Sequence, residues 1–124
     1  MSKLIDKELF IKRNQYEDNR ELETIGLDNT VFVGSGAFKN CISLTDVYFG
    51  YDISRISHGA FENCKSLKDV WFAIIDEDKI IEIADDAFRG CDQDITFHIF
   101  VTAKNNKYLN RYAHKHGFRV EGMI

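Results

Sequence analysis

The feature that most constrains the fold is a short motif that occurs three times in the 124 residues. Each copy has Ala-Phe, two variable residues and a cysteine, and a β-branched residue stands eight positions before that cysteine. The copies are Val33–Cys41, Ile56–Cys64 and Ile83–Cys91. Such a period is typical of repeat architectures, in which a unit buries its apolar face only by stacking on its neighbours.

A fourth, degenerate copy precedes these three. With Asn19 in the position of the cysteine, which we call the anchor, the apolar positions are filled by Ile11, Tyr16, Leu22, Ile25 and Leu27. The anchors Asn19, Cys41, Cys64 and Cys91 are then separated by 22, 23 and 27 residues. The longer last interval indicates an insertion at 73–79, which we expect to form a bulged acidic loop.

The segment after each anchor predicts a strand. Ser-Leu-Thr-Asp-Val-Tyr-Phe49 and Ser-Leu-Lys-Asp-Val-Trp-Phe72 agree at every apolar position, and their alternation is typical of a strand with one buried face. The Ala-Phe-x-x-Cys segment has the spacing of a helical or 3-10 turn. Each coil is therefore predicted to combine a short strand with a tight turn, with Phe filling the interior.

The two ends of the chain depart from the repeat. Residues 1–10 are expected to form an N-terminal cap, 11–100 the repeats and 101–124 a C-terminal cap, all in one domain spanning 1–124. Asp94 stands where the repeat has Leu, which indicates that the array is ending. Over 104–116 we predict a helix that ends at Gly117 and is followed by a final strand. Its apolar face comprises Tyr108, Leu109, Tyr112 and Ala113.

The whole pattern, Ile-x-x-x-Ala-Phe-x-x-Cys-x-x-Leu-x-x-Val, resembles the BspA-like (Treponema-type) leucine-rich repeat over roughly residues 11–100. The resemblance implies an α/β repeat fold: a short, right-handed leucine-rich-repeat solenoid of about four coils, closed by a C-terminal helix-strand cap. It also implies that the outward-facing strand residues form the binding surface, as in relatives that are often surface adhesion proteins.

The predicted binding surface consists of the variable strand positions. Seven residues after the successive anchors stand Gly26, Tyr48, Trp71 and His98. Stacked coils are expected to bring the last three into one stripe, flanked by Asp46 and Asp69, with Lys68 nearby. Aromatic residues beside charges are typical of interface hot spots. Two alternatives remain: the rings only satisfy strand propensity and cross-strand packing, or the C-terminal helix covers them.

The residues that could support other chemistry have simpler explanations. The three cysteines occupy one repeat position and form no Cys-x-x-Cys pair, so we expect reduced, buried thiols. His114 and His116 are two apart and point to different faces of a helix, as part of a solvated basic surface. The acidic runs match no calcium-loop spacing. No catalytic residue, cofactor or metal is therefore predicted.

Composition narrows the class of partner. A net charge of −4 gives no general attraction to nucleic acid, and no run of eighteen apolar residues predicts membrane insertion. The charged N-terminus lacks the pattern of a leader, so a cytoplasmic location is expected, or a surface one if a leader is missing from the sequence. We predict a non-enzymatic protein-interaction module with an unidentified protein partner, either monomeric or weakly self-associating. The alternatives are an inhibitor or immunity-type protein, a surface adhesion fragment and, less favoured, a metal-dependent enzyme.

Overall fold

A computed structural model describes residues 3–74, 76–91 and 94–123 of the chain. In these residues a 3-10 turn, Val101–Ala103, precedes the helix α1, Lys107–His116. The strands are β1 (Lys3–Ile5), β2 (Phe10–Ile11), β3 (Thr24–Leu27), β4 (Phe32–Val33), β5 (Asp46–Phe49), β6 (Arg55–Ile56), β7 (Asp69–Phe72), β8 (Glu82–Ile83), β9 (Thr96–Phe100) and β10 (Arg119–Met123).

The strands form two parallel sheets. The larger has the order β1-β3-β5-β7-β9-β10 and the smaller the order β2-β4-β6-β8. Neighbouring strands are one coil apart in the sequence. The first four coils contribute one strand to each sheet, whereas β9 and β10 belong to the larger sheet only. The register of the larger sheet aligns Ile25, Val47, Val70 and Phe97, the buried apolar positions of successive repeats. The predicted leucine-rich-repeat solenoid is confirmed.

The core contains a column of stacked rings contributed by the residue three positions before each anchor. We call this column, Tyr16, Phe38, Phe61 and Phe88, the inner aromatic ladder. Its successive ring centroids are 5.1, 5.0 and 5.2 Å apart, with interplanar angles of at most 8°. Phe38 and Phe61 are completely buried. The repeated Phe of the motif is thus the residue that joins one coil to the next.

The cysteines link the coils through their thiols. The Sγ atoms of Cys41, Cys64 and Cys91 donate to the carbonyl oxygens of Tyr16, Phe38 and Phe61 at 3.1–3.2 Å. Burial raises the pKa of the Cys41 thiol to about 11 and that of Cys64 further above its usual value. The three cysteines form no disulfide, and Cys91 is only partly buried, in contrast to the burial expected from its repeat position.

A second set of cross-coil bonds runs along the residue just before each anchor. Asp18, Asn40, Asn63 and Gly90 all have positive φ, between 60° and 77°. Asn40 donates to Asp18 at 2.8 Å, and Asn63 donates to Asn40 at 3.1 Å. A Cβ on Gly90 would lie 2.1 Å from the Asn63 Oδ1 atom. Glycine ends this series at a φ of 77°, where a side chain would be strained and would displace the Asn63 amide.

The ends of the chain continue the larger sheet rather than only covering it. Lys3–Ile5 pairs with β3, and Arg119–Met123 pairs with β9 along its whole length. Sequence patterning alone placed both segments in caps because neither contains an anchor motif. The predicted final strand is present as β10, and its edge now forms the C-terminal side of the sheet.

The C-terminal helix begins three residues later than predicted. Asn106 is buried and caps α1, since its Oδ1 accepts from the amides of Tyr108 and Leu109 at 3.1 Å. Its Nδ2 donates to the Lys79 carbonyl at 2.8 Å and so ties the helix to the insertion. At the other end, Gly117 has a φ of 75° and forms the predicted C-cap.

The insertion forms an exposed turn where it is described. The Asp78 amide donates to the Asp76 carboxylate at 2.8 Å, and the Lys79 amide donates to the Asp76 carbonyl at 3.2 Å. Ile74 before it is buried, and Ile75 lies outside the described residues. Within the described ranges, no helix has the length and apolar character needed to cross a membrane.

Candidate protein-interaction surface

The outer face of the larger sheet carries a second stack of rings. The register pairs Tyr48 with Trp71 and Trp71 with His98, as the repeat spacing predicts. The Tyr48 and Trp71 centroids are 5.7 Å apart at 11°, and those of Trp71 and His98 are 3.8 Å apart at 13°. We call these three residues the outer aromatic ladder. Its rings stack along the sheet, so cross-strand packing is part of what holds them.

Two aspartates fix the orientation of these rings. Trp71 Nε1 donates to Asp46 Oδ2 at 3.3 Å, and His98 Nε2 lies 2.7 Å from Asp69 Oδ1. Each of these two rings thus bonds to the aspartate that stands two residues before its register partner on the preceding strand. Thr45 Oγ1 donates to the other Asp46 oxygen at 2.7 Å. Asp46 and Asp69 are therefore positioning groups within the surface, whereas the sequence suggested only flanking charges.

Exposure decreases along the outer aromatic ladder. Tyr48 is 39% exposed and Trp71 is half-buried, whereas the His98 side chain is only 12% exposed. His98 is covered because β10 extends the sheet beyond it and places Glu121 beside it, with Oε2 3.8 Å from His98 Nδ1. Sequence alone gave no reason to expect this cover. The accessible part of the predicted stripe is therefore Tyr48 and Trp71, with Lys68 exposed just before β7.

The C-terminal helix packs elsewhere. The Tyr112 hydroxyl donates to the Ala84 and Asp85 carbonyls at 3.0 and 3.1 Å, and its ring packs against Phe88 and Phe97. Among the described residues, no ring contact or hydrogen bond joins α1 to Tyr48 or Trp71. The strand β10, rather than the helix, adjoins the outer aromatic ladder.

A groove interrupts the surface beside Tyr48. The position equivalent to Tyr48 on β3 is Gly26, and the next one on β1 is Ile5, which is 59% exposed. The groove has a volume of about 220 Å³ and is lined by Lys3, Ile5, Thr24, Gly26, Asp28 and Tyr48. Burial, followed by the charges of Asp46 and Asp69, raises the pKa of Tyr48, so its phenol stays protonated at neutral pH.

The histidines of the C-terminal helix are not equivalent. His114 is exposed as predicted, but His116 is half-buried and stacks on Tyr112 at 4.1 Å, in contrast to the expected solvated surface. Lys115 Nζ lies 2.9 Å from Asp85, and this hydrogen bond lowers the pKa of that carboxyl. The described part of the chain contains no group of three or more His, Cys, Asp or Glu side chains that could hold a metal ion.

Parallel sheets stacked coil by coil, with a variable outer row of strand residues, define the class of the protein as a leucine-rich-repeat solenoid. The family described as the BspA type leucine rich repeat region matches residues 7–117, with six copies. The chain belongs to this family. The matched range extends beyond residues 11–100, whereas the end strands Lys3–Ile5 and Arg119–Met123 lie just outside it.

Two solved structures share the fold. The first is a leucine rich cell surface protein from Faecalibacterium prausnitzii, with a TM-score of 0.69 and 24% identity over 100% of this chain and 32% of that one. The second is the pneumococcal vaccine antigen PcpA, with a TM-score of 0.68 and 14% identity over 93% and 28% of the two chains. The chain thus spans about a third of either protein. No curated protein matches it in sequence.

Proposed function

We propose that the chain is a non-enzymatic interaction module that binds a protein partner through the outer face of its larger sheet. The observation that carries this proposal is the outer aromatic ladder, whose rings stack on one another and whose Trp71 and His98 rings are also hydrogen-bonded to Asp46 and Asp69. Rings that are already ordered lose little conformational entropy on binding, so their contacts contribute more fully to affinity.

The arrangement around the rings supports the same function. Tyr48 is exposed and lies at the centre of the sheet, which is where interface anchors concentrate. Asp46 and Asp69 accept the ring N–H groups, so a partner covering Trp71 would leave no indole donor without an acceptor. Lys68 supplies an exposed charge at the rim, where charges govern partner choice more than affinity.

Of the possible settings for such a module, we favour the cell surface. The Faecalibacterium neighbour is described as a cell surface protein and PcpA as a vaccine antigen. A surface-binding role fits these neighbours better than the cytoplasmic inhibitor or immunity-type protein that size and charge suggested. Protease treatment of intact cells, followed by detection of the chain with an antibody, distinguishes the two: loss of signal supports the surface and full protection contradicts it.

The binding role is tested by affinity capture with matched variants. Immobilised wild-type chain, a Tyr48→Ala, Trp71→Ala double variant and a Tyr51→Ala control are exposed to the same extract of the native organism. Tyr51 is 61% exposed but lies outside the strands, so its loss removes an aromatic surface of similar kind. We expect one protein to be retained by wild type and control and lost by the double variant. Equal retention by all three would remove the outer aromatic ladder from the function.

A further inference from the structure

The outer aromatic ladder has an empty position at its N-terminal side. In register order the row is Ile5, Gly26, Tyr48, Trp71, His98 and Glu121. One face of the Tyr48 ring stacks on Trp71, so its opposite face is directed toward Gly26, and both residues line the groove of about 220 Å³. The ladder stops at Gly26 because this residue has no side chain to add the next ring.

The backbone does not require glycine at this position. A Cβ on Gly26 would meet Ile5 Cγ1 at 3.6 Å and the Leu4 carbonyl at 3.9 Å, which are ordinary contacts. Gly26 is also not among the residues with positive φ. A Cβ could therefore be added at this position without a clash, and the groove lies where that side chain is absent.

The walls of the groove match a flat apolar group with a polar end. The Tyr48 ring forms one wall and the exposed Ile5 side chain forms the opposite one. Trp71 and His98 each bond to the residue that stands two positions before their register partner on the preceding strand. The register partner of Gly26 is Ile5, so the corresponding residue for position 26 is Lys3. Lysine is a donor where Asp46 and Asp69 are acceptors, and it also favours the face of an electron-rich ring. The Thr24 hydroxyl, buried in the same lining, has no hydrogen-bond partner in the described part of the chain.

We propose that this groove receives a tyrosine side chain of the protein partner, which stacks on Tyr48 as the missing member of the outer aromatic ladder. The inference rests on the proposed function, since it names the group by which the partner is recognised. Stacking and contact with Ile5 bind the ring, while Lys3 donates to the phenol oxygen. The lining contains both a donor, Lys3, and an acceptor, Asp28, and a phenol can both accept and donate.

Nuclear magnetic resonance with a small probe tests the groove without knowledge of the partner. The ¹⁵N-labelled chain is titrated with N-acetyl-L-tyrosinamide and, separately, with N-acetyl-L-leucinamide. We expect saturable shifts of the Ile5, Gly26 and Tyr48 amides with the tyrosine probe, and binding of the leucine probe that is weaker by about fivefold, because stacking is lost. Equal affinities, or no saturable shift at these amides, would overturn the proposal.

Three variants sharpen the test. Gly26→Tyr fills the groove from within and should abolish the shifts, while the matched control Gly26→Ala should retain them. Tyr48→Leu keeps an apolar side chain but removes the ring, so it should erase the preference for the tyrosine probe even if Gly26→Tyr fails to fold. Retained preference in Tyr48→Leu contradicts the proposal. Shifts of the same amides that depend on protein concentration alone would assign the groove to a second copy and also contradict it.

The groove proposal and the proposed binding function can be contradicted separately. If the captured partner is lost by the Tyr48→Ala, Trp71→Ala variant but retained by folded Gly26→Tyr, the binding function stands and the groove proposal is wrong. If the partner is retained by all variants, the proposed function itself is wrong, whatever the probe does. Loss of the partner in folded Gly26→Tyr, with retention by Gly26→Ala, supports both.

Discussion

The two aromatic ladders run side by side along the same solenoid but differ in what holds them. The inner one stacks rings at 5.0–5.2 Å within the core, and only Tyr16 at its N-terminal end is half-buried, with its hydroxyl bonded to Asp6. The outer one is partly exposed, and its Trp71 and His98 rings are fixed by hydrogen bonds to acids on the preceding strand. The inner column repeats nearly the same residue, whereas the outer row changes from Gly26 to Tyr48, Trp71 and His98.

This difference separates stability from recognition. A coil needs the inner ring to bury its apolar face against the next coil, so that position tolerates little variation. The outer row faces solvent over part of its length, and its side chains can change as long as each finds a neighbour across the strand. The scaffold is therefore specified by the repeated positions, and any binding specificity must reside in the variable ones.

The largest expected effect comes from removing an inner ring. Phe61 stacks on Phe38 and Phe88 and contacts Phe49 edge-on. Phe61→Ala should lower the free energy of unfolding by about 3–5 kcal/mol, since it loses this contact area and leaves a cavity. Trp71→Ala, at a half-buried position, should cost about 1–2 kcal/mol. Urea denaturation of both variants measures the two losses, and equal values would contradict the division between the ladders.

A second prediction concerns alkaline pH, which should affect the inner region first. Burial raises the pKa of Cys41 to about 11, and burial with the neighbouring Asp6 raises that of Tyr16 to about 12. The folded state holds these protons more tightly than the unfolded chain, so their contribution is intact below the unfolded pKa. It is lost as the pH rises through the folded pKa.

The thiol part of this loss is on the order of 2–3 kcal/mol between pH 8 and 11. Denaturant unfolding at a series of pH values measures it. Cys41→Ala should reduce the slope in that interval, to which the buried Cys64 thiol also contributes, whereas Tyr48→Phe, on the outer face, serves as the comparison and should change it less. A slope unaffected by Cys41→Ala would show that the buried thiol is not the titrating group.

The third prediction isolates the polar bond of the outer aromatic ladder. Trp71→Phe keeps an aromatic ring but removes the Nε1 donor to Asp46, so the free energy of unfolding should fall by about 1 kcal/mol. In an Asp46→Ala background the same change should have a smaller effect, and this double-mutant cycle measures the coupling. Zero coupling would mean that the Trp71 ring is held by stacking alone.

The same distinction explains how much could be predicted from the sequence. The strands Asp46–Phe49 and Asp69–Phe72 stand at the same offset from their Ala-Phe-x-x-Cys motifs, so they and the row of Tyr48 and Trp71 follow from counting. The cover over His98 does not follow, because Glu121 belongs to a strand outside the motif. Likewise, the bond from Asn106 to the Lys79 carbonyl, which ties the helix to the insertion, does not follow, because the two residues are distant in sequence.

The smallest predicted effect on the free energy of unfolding comes from Gly26→Ala. This variant tests whether glycine is needed at position 26 for folding or only for binding. A Cβ at this position meets only ordinary contacts, and alanine restricts the unfolded chain more than glycine does. Gly26→Ala should therefore raise the free energy of unfolding by about 0.5 kcal/mol, measured by urea denaturation beside wild type. Gly34→Ala is the opposite case, since its Cβ would lie 2.7 Å from the Arg13 amide nitrogen, and it should destabilise the protein.

A destabilised Gly26→Ala would mean that the coil needs glycine there and that the gap is a by-product of folding. If Gly26→Ala is stabilised, folding stability gives no reason for glycine at this position. That result is the one expected if the gap serves recognition.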